Sequence, residues 1–309
     1  MNPTLIVVVG PTAIGKTACA IALAQQFGSD IISCDSRQFF KEMRIGTAVP
    51  SPDELAAAPH HFIQHQSIHV PYSVSDFEKA TLQLLPSLFQ KNPIQIMVGG
   101  SGLYVNAILD GLDEFPAIDP AIRSQLQMMY KQEGLGYLQE QLTQLDSVFY
   151  QKLASENPQS LQNPQRMMRY VEVCIGSGMP YSSFLKEGTI TRPFDVVCIG
   201  LEAEREVLNQ RINQRVEAMM QEGLLAEVAQ LYVQRSLNAL QTVGYSELFD
   251  HFDGNCSLDE AVQLIQLHTR QFAKRQMTWF KKRSDIHWFA HNTECAAISS
   301  CINAHLGSS

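Results

Sequence analysis

The chain has 309 residues, of which 45% are hydrophobic and 17% charged; this globular composition leaves room for one core domain with an insertion and excludes a largely disordered protein. Lys and Arg number 23 against 31 Asp and Glu, so 23 − 31 leaves a formal charge of −8, which excludes a general nucleic-acid coat, gives no reason to expect a DNA partner and requires any RNA to be met by a local basic patch. Seven cysteines without a C-x-x-C pair, and no apolar run of membrane length, fit reduced thiols in a cytoplasmic protein with no membrane partner.

The run Thr4-Leu5-Ile6-Val7-Val8-Val9 reads as a first core strand, too short to span a bilayer and without a basic leader. It leads into Gly10-Pro11-Thr12-Ala13-Ile14-Gly15-Lys16-Thr17, a match to G-x-x-x-x-G-K-[ST], and then into helical spacing from Ala18 to Phe27. Strand, glycine loop and helix in that order define a phosphate site. Backbone N–H groups turn inward on phosphate oxygens, the helix N-terminus adds positive potential, Lys16 supplies a point charge and Thr17 offers its hydroxyl to Mg²⁺.

A second short apolar run, 30–34, ends at Asp35, the acid best placed beside the loop. Ser75-Asp76-Phe77-Glu78 has the capping-box pattern and predicts a helix with Phe77, Leu84, Leu85 and Leu88 on one face. His61, His65 and His69 recur every fourth residue, but Pro59 and Pro71 bracket them and no Cys stands near, so a loop lining the substrate channel is expected rather than a zinc face. A third strand, Ile94 to Val98, ends in Gly99-Gly100, where a nucleotide hydrolase would place an aspartate.

Residues 116–193 change character to helical segments rich in Gln and Met, an inserted helical subdomain between core segments 1–115 and 194–309. The strand pattern returns at 196–199, followed by helices over 204–234, a turn near Gly244, a long helix over 258–282 and a strand at 286–289. The expected fold is α/β, a P-loop NTPase-like, doubly wound, mostly parallel sheet with that insertion. Arg211 and Arg215 share one helical face, and one of them is expected at the phosphates. Arg270, Lys274, Arg275, Lys281, Lys282 and Arg283, with no acid among them, form a local patch of +6 interleaved with Phe272, Trp279 and Phe280; Trp279 is expected in the core.

Four stretches together, Gly10 to Thr17, Asp35-Ser36-Arg37-Gln38, Gly99-Gly100-Ser101-Gly102-Leu103-Tyr104 and Arg270 to Phe280, resemble the bacterial tRNA dimethylallyltransferases, also called isopentenyltransferases. Pro59-His60-His61, Asn163-Pro164-Gln165-Arg166, Arg211 to Arg215 and Thr242-Val243-Gly244-Tyr245 extend the resemblance from Val8 to about Phe289. Ile14 and Ser101 depart from the residues usual there.

The resemblance implies transfer of the dimethylallyl group of dimethylallyl diphosphate to the exocyclic amine of the adenosine 3′ to the anticodon, in tRNAs reading codons that begin with U. It implies the anticodon stem-loop as partner and Mg²⁺ as cofactor, and a monomer is expected. The chemistry suits the residues. An adenine amine is a weak nucleophile that benefits from a carboxylate, here Asp35, and charge growing on the leaving diphosphate is met by Lys16, the loop amides and Mg²⁺. Ser101 is implied at the adenosine. Contact with tRNA is further implied for Asp35, Ser36, Arg37, Gln38, Arg123, Gln165, Arg166, Met167, Met168 and Arg169, and the charges favour Arg270, Lys274 and Arg275. A P-loop kinase moving a phosphoryl group from ATP to a small molecule is the alternative.

Overall fold

A run of β-branched residues without polar alternation suits a strand covered on both faces, and all six residues of β1 (Thr4–Val9) are buried. The computed structural model describes residues 2–186, 188 and 190–307. Among these, β1 forms one sheet with β2 (Ile31–Ser33), β3 (His60–His61), β4 (Ile94–Val98), β5 (Asp195–Glu202) and β6 (Ile286–Ala290), in the order β3-β2-β4-β1-β5-β6. Every neighbouring pair is parallel. Thr4 stands opposite Ile94 on one side and Asp195 on the other. Leu5, Val7 and Val9 enter one core cluster and Ile6 and Val8 the opposite one, as a period of two requires.

From β1 the chain winds one way to β2, and β5 lies on its other side, so the carboxyl ends of β1, β2 and β4 open on the crevice where such sheets take ligands. Helices α1 (Lys16–Phe27), α2 (Pro52–Ala57), α3 (Val74–Lys91) and α4 (Gly102–Leu109) belong to this part. The cap of α3 corrects the sequence reading. Ser73 accepts from the Asp76 amide while Asp76 accepts from the Ser73 amide, so the box lies two residues before Ser75, and aspartate takes the place usually filled by glutamate. Phe77, Leu85 and Leu88 are buried and Leu84 is half-buried against the same cluster.

The chain then leaves the sheet for a second compact unit, which begins at Leu112 and ends just before Ile190; the sequence reading put these junctions four residues later. It contains α5 (Pro120–Glu133), α6 (Leu135–Leu145), α7 (Ser147–Glu156), α8 (Pro158–Leu161) and α9 (Pro164–Ser177), packed around Leu126, Leu138, Leu142, Phe149, Met167, Met168 and Val171. Buried Asp146 accepts from the amides of Phe149 and Ser182, capping α7 and holding the segment after α9.

Beyond β5 come α10 (Arg205–Gln221), α11 (Leu224–Leu231), α12 (Ser246–Phe252), α13 (Leu258–Phe280) and, after β6, α14 (Cys295–Leu306). The sequence reading ended at β6 and missed α14, which is rich in small residues and buries only Ile298, Ser299 and Ile302. All seven cysteines are free thiols. No helix among the described residues is long and apolar enough to cross a membrane.

Candidate active site

A cleft of about 910 Å³ lies at the carboxyl ends of β1, β2 and β4, and Thr12 to Thr17, Asp35 to Gln38, Gly99 to Tyr104 and Arg215 all contribute to its lining. The loop needs its glycines. Gly10 has φ 147°, and a Cβ there would stand 2.6 Å from the Leu201 carbonyl oxygen. Gly15, with φ 104°, takes the N-cap position of α1 in the left-handed region, which glycine enters without penalty.

Helices α2, α3 and α13 are each closed by a complete capping box. The start of α1 has neither a side-chain cap nor an acid in its first turn, so its free N–H groups and positive end face the cleft as an anion site requires. Ile14 turns away from the cleft chemistry into the core, 1% exposed, so its bulk is accommodated. Lys16 Nζ donates to the Pro11 carbonyl at 2.8 Å. Desolvation draws its pKa down to about 8, against the pull of Asp35, with Arg215 adding to the depression. An anion in the loop would satisfy this cation.

Of the two arginines on α10, Arg215 lines the cleft and donates to Thr12 Oγ1 at 3.2 Å. Arg211 donates through Nε to the Ala13 carbonyl at 2.8 Å and braces the loop from outside. Asp35 accepts from the Arg37 amide at 3.1 Å, which aims a strand-end carboxylate along the cleft wall. Arg37 donates to the carbonyls of Asn238, Ala239 and Gln241, and burial lowers its pKa. The Gln38 amide donates to the carbonyls of Thr47 and Ala48. Arg37 and Gln38 therefore pin cleft walls. Ser101 makes no helix cap; its hydroxyl accepts from the Ser36 amide at 3.1 Å and donates to Ser36 Oγ at 3.2 Å, tying the segment after β4 to the segment after β2.

The sequence reading gave Gln276 no role. It is 6% exposed, accepts from the Thr12 amide at 2.8 Å and donates to the Gly100 carbonyl at 3.0 Å, so one amide joins the phosphate loop to the turn after β4. Gly100 leaves the space it occupies; a Cβ there would collide with Nε2. The available signal was a glutamine on the buried face of an amphipathic helix, between Ala273 and Phe280. A buried amide needs partners.

Other expectations change. Trp279 is 36% exposed and lines the cleft against Gly102; the core aromatic is Phe280, fully buried. The basic patch is partly neutralised. Lys281 pairs with Glu202 at 2.7 Å, Arg283 pairs with Asp110 and Asp285, and Arg270 donates to Asn213, whereas Lys274 and Arg275 are exposed. Met167 and Met168 point into the core of the helical unit, so they offer no side chain to RNA. Arg123 and Arg169 converge on Glu172, Gln165 accepts from Arg123, and Arg166 donates to Ser160.

His61, His65 and His69 do not line the cleft. His61 bonds Asp30, and His65 is enclosed by Phe39, Phe62 and Tyr72, because this segment folds against an aromatic cluster. No group of three or more His, Cys, Asp or Glu able to hold a metal occurs among the described residues. Thr17 and Asp35 in one cleft fit Mg²⁺, which takes one or two protein oxygens and fills its shell with water and phosphate oxygens.

The parallel sheet, the uncapped helix above a glycine loop and the Lys16 and Arg215 cations beside it define a P-loop α/β protein with an anion cradle in its cleft. The sequence profile of the IPP transferase family matches residues 38–283. The tRNA dimethylallyltransferase of Flavobacterium psychrophilum is 57% identical over 302 residues, 98% of each chain, and that of Flavobacterium johnsoniae is 57% identical over 99% of each. Among solved structures, the tRNA isopentenylpyrophosphate transferase of Bacillus halodurans is 32% identical with a TM-score of 0.72, covering 99% of this chain and 98% of its own. A eukaryotic dimethylallyltransferase acting on tRNA is 25% identical with a TM-score of 0.72, covering 94% of this chain and 74% of its own. The chain belongs to the IPP transferase family.

Proposed function

We propose that the protein is a tRNA dimethylallyltransferase, moving a dimethylallyl group from its diphosphate to the exocyclic amine of the adenosine 3′ to the anticodon in tRNAs reading codons that begin with U. The observation that carries the reading is one cleft holding an anion cradle, Lys16 with the open end of α1, beside a strand-end carboxylate, Asp35.

Lys16, Arg215 and the loop amides bind the diphosphate and stabilise the charge that grows on it as the allylic bond breaks. Asp35 accepts the proton of the attacking amine, and Ser101, held by Ser36, orients the adenine. The Thr17 hydroxyl would hold Mg²⁺, which would supply neutralisation of the leaving group's charge. The sheet disfavours the ATP-dependent alternative: β4 is followed directly by Gly99, where the Cys34 backbone leaves no room even for a Cβ, so the end of that strand offers no metal-holding acid.

The exposed Lys274 and Arg275, with Arg270, give RNA phosphates a cationic face. On this reading Arg123, Gln165, Arg166 and Arg169 reach the tRNA by exchanging partners within the helical unit, and the protein acts as a monomer. Incubation with Mg²⁺, radiolabelled dimethylallyl diphosphate and an unmodified anticodon stem-loop, with ATP omitted, should move label into RNA, and replacing the target adenine should abolish it. ATP turnover stimulated by a small molecule, without label in RNA, would overturn the proposal.

A further inference from the structure

Lys16 is set apart from the other nine lysines of the chain, all of which are exposed. It is the first residue of α1, directly after Gly15, at a helix end with no side-chain cap and no acid in its first turn. Among the described residues its Nζ has one acceptor, the Pro11 carbonyl at 2.8 Å, and it lines the cleft together with Arg215 and the rest of Thr12 to Thr17. The ammonium therefore stands where the loop amides and Arg215 collect phosphate oxygens.

The same enclosure makes this nitrogen a nucleophile. Desolvation draws its pKa down to about 8, with Asp35 pulling it up and Arg215 pressing it down. Near pH 7.5 such a group is roughly one quarter free amine, against about 0.1% for an ordinary lysine, so Lys16 offers its lone pair roughly two hundred times as often. As with thiolates, a less basic nucleophile attacks more slowly, which returns part of that factor. An electrophile that carries its own phosphate gains a second advantage. The carbonyl carbon of an acyl phosphate is one oxygen away from phosphorus, so seating the phosphate on the loop amides and Arg215 brings that carbon to the amine beside them, and orientation of this kind speeds attack over random encounter.

We infer that Lys16 is an acylation site for small acyl phosphates, which bind through their phosphate in the loop and pass their acyl group to Lys16 Nζ. The free amine attacks the carbonyl carbon and forms the C–N bond. The C–O bond to the phosphate breaks with both electrons leaving on inorganic phosphate, and the proton shed by nitrogen passes to solvent. The amide so formed carries no charge, and its acyl group fills the position of a phosphate, so the modified loop no longer holds a diphosphate. Acylation switches the cleft off when diphosphate is scarce, because both ligands compete for the same amides. The inference rests on the anion cradle and on neither the RNA nor the prenyl group.

The test is to incubate the full chain with acetyl phosphate near pH 7.5 and follow the acetylation of each lysine with time by peptide mass spectrometry. Lys16 should be labelled about tenfold or more faster than any exposed lysine, its rate should saturate with acetyl phosphate, and inorganic diphosphate should suppress it competitively without altering labelling elsewhere. S-Acetyl-N-acetylcysteamine, a thioester with the same acyl group and no phosphate, should show a severalfold smaller preference for Lys16. Arg215→Met should slow labelling of Lys16 alone, and calorimetry on the labelled protein should find diphosphate affinity reduced about tenfold or more. Labelling of Lys16 no faster than of exposed lysines, labelling indifferent to diphosphate, or an equal preference shown by the thioester would overturn the inference. None of these readouts requires transfer to RNA, so failure of the functional reading and failure of this inference are distinguishable.

Discussion

The cleft and the helical unit both carry cations, and they use them in opposite ways. In the helical unit Arg123 and Arg169 close on Glu172, Arg166 closes on Ser160, and Arg169 also lies over the Phe115 ring. In the cleft Lys16 has one carbonyl, Arg215 one hydroxyl, and Asp35 one backbone amide. A desolvated ammonium drawn down to about 8 is costly unless a ligand completes its shell. The lesson is one of purpose: charges that satisfy one another hold a fold together, and charges left under-satisfied around a cavity of fixed shape wait for a substrate.

The sharpest way to break the comparison is to remove a waiting charge. Asp35→Asn, which keeps size and the bond from the Arg37 amide, should lower turnover roughly 10²-fold with a much smaller change in stem-loop affinity; near-normal turnover would take proton transfer away from Asp35. Lys16→Met should weaken dimethylallyl diphosphate binding by roughly tenfold or more. The pH dependence follows from the same group. The ammonium binds the anion, so affinity holds below about pH 8 and falls as pH rises through that value, by about tenfold per unit well above it. Titration calorimetry from pH 6.5 to 9.5 should find this slope in the unaltered protein and lose it in Lys16→Met.

Substitutions at self-satisfied groups should change stability first. Gln276→Ala leaves the Thr12 amide and the Gly100 carbonyl without their partner and should cost about 1–3 kcal/mol, read by thermal unfolding, with a severalfold rise in KM for the diphosphate because the loop loosens. Glu172→Gln should cost about 1 kcal/mol, since Arg123 is partly exposed and solvent screens the pair; diphosphate binding should not change. The smallest effect belongs to exposed Lys274. Lys274→Ala should leave folding and diphosphate affinity alone and reduce the salt slope of stem-loop binding by about one.

These cases also separate what the chain alone discloses from what it conceals. The phosphate loop was legible because a strand, a glycine pattern and a helix adjoin in sequence, and each backbone requirement there selects its residue type. Asp35 was legible as the end of a strand. Gln276 was not: it bonds the Thr12 amide and the Gly100 carbonyl, 264 and 176 residues away, and only folding brings α13 beside the loop. Trp279 and Phe280 are neighbours in a helix, about 100° apart around its axis, so composition said that one aromatic is buried and packing chose which.

By itself the sequence determined the main core strands and the long helices, the phosphate loop, the interruption by a helical segment and the family, since these depend on local periodicity and on motifs read along the chain. Tertiary structure decided which cations remain free, with Lys281 and Arg283 paired and Lys274 exposed, which of Arg211 and Arg215 reaches the cleft, and that Met167 and Met168 face a core. The physical reason is that a charge or an apolar side chain acquires its role from what is packed against it, and packing partners are set by the fold rather than by neighbours in the chain.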